Sequence, residues 1–154
     1  LRLPAQLAPG RTLLHDDAGA AQVEMAFSYG ILFLVMAGII QFCMLVYTYG
    51  VYAEAARAGV RYAVQHGTDS STCSGPSTGC TDSTGTNVVS AVNSYAAHYV
   101  STISGMTVKA NYPDSSSAPG SRVIVNVTYT YIPFVTYKGF NQAFQIAAQG
   151  RILY

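Results

Sequence analysis

Charge is scarce in this sequence. Eight Lys and Arg and seven Asp and Glu make up only 10% of 154 residues, with a net charge of +1. The cations are scattered rather than clustered, so the chain offers no basic surface for nucleic acid. Tryptophan is absent, and the three histidines, His15, His66 and His98, fall in three different segments. No Ser/His/Asp set, carboxylate pair or HExxH arrangement accompanies them, and the acidic residues beyond Gly19 are equally dispersed. The expectation is a protein with no catalytic residues, no cofactor and no metal centre, not an enzyme. Cysteine is limited to Cys43, Cys73 and Cys80. Cys73 and Cys80 are too widely spaced for a redox CxxC pair and sit in a Ser/Thr/Gly-rich loop, so they read as a structural disulfide, which places that half of the chain outside the cytoplasm. Cys43 lies in an apolar run and reads as an inert thiol.

Apolar residues are plentiful, at 50% of the chain, and they are concentrated. Met25 to Ala53 contains no charged side chain, a run long enough to cross a hydrocarbon core of roughly 30 Å. It is too long for the core of a cleaved secretory signal, so it is expected to stay in the mature protein. Residues 1–19 hold Pro4, Pro9, Gly10 and Gly19 without a sustained period and read as a leader or N-terminal tail. From 20 to 66 there is no proline, which predicts one continuous helix of roughly 65 Å, about twice the bilayer core. The half beyond the membrane carries Glu54, Arg57, Arg61 and Gln65 on one stripe and Ala55, Ala56, Gly59 and Ala63 on another, a small apolar face suited to close packing. Gly30, Ala37, Gly38 and Gly50 permit close helix contact within the apolar run, and Tyr47, Tyr49 and Tyr52 read as an aromatic belt at the outer membrane interface.

Residues 67–154 form the expected extracytoplasmic head. Gly67 to Gly85 is a loop by composition. Val88, Val92, Tyr95, Ala96 and Tyr99 recur at helical spacing, with Thr84 or Thr86 available as N-cap and Gly105 as terminator. The period then becomes two. Val108, Ala110 and Tyr112 share one face, as do Val123, Val125, Val127, Tyr129 and Tyr131, and finally Phe144, Ile146, Ala148, Ile152 and Tyr154. Pro113 to Gly120 reads as a long hairpin loop, and Pro133 to Gly139 as a linker. The fold class is therefore α+β: a long apolar N-terminal helix, a second helix and a three-stranded antiparallel sheet that needs one face covered by the helices.

Two stretches carry a resemblance. Ala18-Gly19-Ala20-Ala21-Gln22-Val23-Glu24-Met25-Ala26-Phe27 resembles the processing and assembly motif of type IV-like pilins, in which a small residue precedes the cut and Glu stands fifth in the mature chain. Tyr52-Ala53-Glu54-Ala55-Ala56-Arg57-Ala58-Gly59-Val60-Arg61-Tyr62-Ala63 resembles the segment typical of TadE-like pilins of tight-adherence (Flp-type) pili. The resemblance implies cleavage between Gly19 and Ala20 by a prepilin peptidase, residence in the inner membrane, and assembly by the pilus machinery into an extracellular filament of identical copies that supports adhesion. It implies that Glu24 pairs with a neighbouring subunit's α-amino group, and that Phe27, Gly30, Gly38, Arg57 and Arg61 belong to the assembling helix. The reading from a different class is a monomeric, single-pass membrane-anchored binding domain.

Overall fold

The computed structural model describes residues 16–100, 105–133 and 142–153. Two helices, α1 (Asp16–Gln65) and α2 (Thr86–Tyr99), precede three strands, β1 (Met106–Asn111), β2 (Arg122–Tyr131) and β3 (Gln142–Arg151). The architecture is α+β. The chain divides into two compact units, Leu1–Ile40 and Gln41–Tyr154.

In the first unit α1 starts at Asp16, a turn earlier than the sequence suggests. From Gly19 to Ile40 every residue is exposed except Ala37, which is half-buried. A helix that is apolar on all sides and uncovered has no place in water. By length and composition α1 qualifies as a membrane-crossing helix.

In the second unit α1 turns amphipathic. Tyr52, Ala55, Ala56, Val60 and Ala63 are buried, whereas Arg57 and Arg61 face solvent. α1 ends as His66 N–H bonds back to the Ala63 carbonyl at 3.3 Å, while the His66 ring nitrogen Nδ1 lies 2.8 Å from the Tyr62 carbonyl and the two rings stack. Gly67 follows and the chain leaves the helix.

The sheet has the order β1-β2-β3 and is antiparallel throughout. Val108 pairs with Val127 and Val127 with Ile146; Ala110 pairs with Val125 and Val125 with Ala148. The alternating apolar residues thus align across all three strands on one face, and α1 and α2 cover it with Tyr52 to Ala63 and with Val88, Val92 and Ala96. Ile152, just beyond β3, continues its inward face and is fully buried; Tyr154 lies outside the described residues, as does the linker after Pro133. Two glycines set how closely the layers approach. A Cβ at Gly59 would collide with Val92, and one at Gly150 would lie 2.5 Å from Val60 Cγ1. The β1–β2 loop is stapled by Asp114, which accepts from the Arg122 backbone at 2.8 Å and its guanidinium at 2.7 Å. The Arg122 hydrogen bonds hold the Asp114 carboxyl down at about 2.

Candidate functional site

The sequence-derived site residues fall into three places. Gly19, Ala20, Glu24, Phe27, Gly30 and Gly38 lie on the first unit's stretch of α1. Gly19 and Ala20 are inside the helix and exposed. Glu24 is exposed immediately before the charge-free run and makes no ion pair among the described residues. Gly30 and Gly38 have nothing within 4 Å of where a Cβ would stand. At Gly30 the missing side chain leaves an open notch walled by Ala26, Phe27, Ile31 and Leu34. Such a notch lets a second helix approach closely, and its uninterrupted apolar rim suits packing in lipid or in a filament core.

Arg57 and Arg61 stand on the outer side of α1 in the second unit. Both turn toward Glu54: an Arg57 Nη1 donates to Glu54 Oε1, and Arg61 Nη2 lies 3.6 Å from Glu54 Oε2. Two guanidinium groups share one carboxylate, so the cluster keeps a net positive charge on an exposed face. Exposed pairs of this kind contribute little to folding and leave the cations free for an outside partner.

Cys73 and Cys80 are disulfide-bonded, with Cα atoms 4.8 Å apart. The bridge sits over buried Ser117, whose hydroxyl lies 3.4 Å from Cys80 Sγ, and whose backbone N–H donates to Ser77 at 2.7 Å. Beside it Asp82 gathers the loop. Its carboxylate accepts from Ser74 Oγ at 2.7 Å, Thr84 Oγ1 at 3.1 Å and the Asn87 backbone N–H at 2.7 Å. Burial pushes the Asp82 pKa up, but the Asn87 backbone, the Ser74 hydroxyl, the Thr86 backbone and the Thr84 hydroxyl outweigh it and hold the carboxyl well below the usual carboxylate range. The cap of α2 is therefore Asp82, reaching across from the loop, with Gly85 at the N-cap position in a left-handed conformation. Neither Thr84 nor Thr86 serves; their hydroxyls bond each other at 2.7 Å. α2 likewise stops before Gly105, with Val100 as its C-cap.

Tyr52 is also placed differently from the belt expected of it. It is 1% exposed, packed on Tyr129 with ring centroids 4.5 Å apart. Tyr49 meets Phe144 edge-on, and Tyr47 remains exposed. An apolar run ending in tyrosines looks the same in sequence whether a bilayer or a sheet receives the rings. Among the described residues no cluster of His, Cys, Asp and Glu is arranged to hold a metal.

Helix, notch and charged stripe all lie on one segment of chain. Residues 19–61 match the family model described as TadE-like protein. The TadE-like segment carries Gly19, Ala20, Glu24, Phe27, Gly30, Gly38, Arg57 and Arg61, and it ends before Cys73 and Cys80. No curated protein and no solved structure matches the chain. With its apolar N-terminal helix, the TadE-like segment fits a pilin-like, membrane-anchored subunit.

Proposed function

We propose that this chain is a structural subunit that polymerises through α1 into an extracellular type IV-like filament of the TadE type, supporting adhesion or surface attachment. The carrying observation is the uncovered apolar surface from Gly19 to Ile40, attached to a second unit that has a complete core of its own. A helix of that kind needs lipid or other helices around it, and copies of itself supply the latter when it leaves the membrane. The TadE-like match over the same residues supports this, and that family is structural rather than enzymatic.

On this reading a prepilin peptidase cuts between Gly19 and Ala20, the inner membrane holds the subunit through α1 before assembly, and the pilus machinery draws it into the filament. Glu24 then stands fifth in the mature chain, where a carboxylate among apolar helices is costly unless a cation meets it. The new α-amino group of a neighbouring copy is that cation, and the pairing fixes the stagger between subunits. Arg57 and Arg61 present positive charge along the filament axis to adjacent heads.

Electron microscopy of sheared surface material, with intact-mass measurement of this chain within it, tests the reading. Filaments built from the chain beginning at Ala20 are expected. Filaments retaining residues 1–19 would remove the cleavage step alone. Recovery solely as a membrane-bound monomer would replace the polymer by an anchored binding domain.

A further inference from the structure

The second unit begins at Gln41, and several of its exposed apolar side chains gather at that end. Gln41 is the first polar side chain after Tyr29, so it closes the uninterrupted apolar run. At 1.5 Å per residue a hydrocarbon core of about 30 Å takes roughly 20 residues, which counted from Met25, just past Glu24, end close to Met44 and within one turn of Tyr47. The end of β2 reaches the same level: the Tyr131 hydroxyl donates to the Gln41 carbonyl at 3.5 Å, and the next residue, Ile132, is 65% exposed. Tyr99 at the end of α2 joins Val46, Tyr47 and Gly50 around an open groove that Glu54 closes at its far end from Val46 along the helix. Tyr47 and Tyr99 are each about half exposed, at 54% and 51%. Three separate elements therefore bring uncovered aromatic or branched apolar side chains to one end of the head.

We infer that this end is a lipid-facing collar: Tyr47, Tyr99 and Ile132 seat in the headgroup layer of a phospholipid bilayer, fixing the depth of the head before assembly. The inference rests on the membrane-anchored reading above. Tyrosine is enriched at that layer because its ring is apolar and its hydroxyl wet. The polar layer adds roughly 5–8 Å on each side of the core, and Tyr47 lies roughly 5 Å along the helix beyond Met44. Side chains on a helix lean toward its N-terminus, which aims Tyr47 back toward the bilayer and brings its ring within reach. None of the three side chains Tyr47, Tyr99 and Ile132 is charged, so their seating is expected in phosphatidylcholine alone.

The absence of tryptophan makes the collar directly measurable. Single-tryptophan variants Tyr47→Trp, Tyr99→Trp and Ile132→Trp of the full chain are reconstituted at low protein density in phosphatidylcholine vesicles with bromine placed either high or deep on the acyl chains. Phe33→Trp reports insertion of α1, and Asn111→Trp, exposed at the opposite end of the sheet, reports the wet part of the head. The expected result is quenching of all three collar tryptophans, roughly two-fold and stronger with high bromine, a blue shift relative to Asn111→Trp, and quenching of Phe33→Trp by deep bromine. If Phe33→Trp is quenched while Tyr99→Trp or Ile132→Trp emits like Asn111→Trp, the collar is wrong and the anchor stands; blue-shifted but unquenched collar tryptophans would mean that a second copy covers them instead of lipid, which overturns the collar as well. If Phe33→Trp itself is unquenched, the anchor and the collar both fall.

Discussion

The Asp82 carboxylate ties three pieces of chain together, since its partners Ser74, Thr84 and Asn87 belong to the disulfide loop, the α2 approach and α2 itself. Replacing it by Ala strands an N–H of the α2 terminus and the Ser74 hydroxyl, and is expected to cost roughly 1–3 kcal/mol in a denaturant titration of the head. Its folded pKa is depressed, so its contribution is fully present above the ordinary carboxylate pKa of about 4 and is lost as pH falls below it. Asp82→Asn is therefore expected to flatten the acid limb of the stability profile while leaving the limb above neutrality unchanged. At Gly59 the expectation is steric. Gly59→Ala drives a methyl into Val92, and either α2 shifts or the layer gap opens, at about 1–3 kcal/mol, read as a lowered midpoint with an unchanged denaturant slope.

Between elements, the Cys73–Cys80 bridge closes a short ring that holds Asp82 beside α2. The double replacement by Ser is expected to destabilise the head by about 2–3 kcal/mol on chain-entropy grounds. Combined with Asp82→Ala it should cost less than the sum, because the bridge acts partly through the cap; a double-mutant cycle checks this. The elements themselves were legible in the sequence. Period two in β2 and the facing residues of β3 reported the covered face because one side of that sheet is dry and the other wet. The proline-free stretch gave α1, and its small-residue face gave the packing side. The capping of α2 was not legible, because Asp82, Thr84 and Thr86 are all capable acceptors within one short stretch and only the fold of the disulfide loop selects among them. Tyr52 was ambiguous for a similar reason: its partner Tyr129 is distant in sequence, and nothing local tells a ring bound for a sheet from one bound for lipid.

For the molecule as a whole, the division at Ile40 and Gln41 separates what is expected to assemble from what is expected to fold alone. Glu24→Gln is thus predicted to abolish filaments in micrographs while the chain still accumulates in the membrane with an intact head, since the head's core is drawn from Tyr52 onward. Loss of the folded head along with the filaments would contradict that separation. Gly150 lets β3 lie against Val60 and Val64, and the Leu153 N–H donates to the Val64 carbonyl at 3.1 Å. β3 therefore rests on a part of α1 that precedes it by roughly 90 residues of sequence, a long-range contact that forms late in folding. On the proposed reading of an exported head, α2 and β2 cover the stretch of α1 around Tyr52 and Gly59 while Val60 and Val64 wait for β3, so a chain stalled partway presents an apolar patch to chaperones and proteases. β3 closes the stretch that remains, and on that reading its docking marks the moment at which the head stops being a substrate for them.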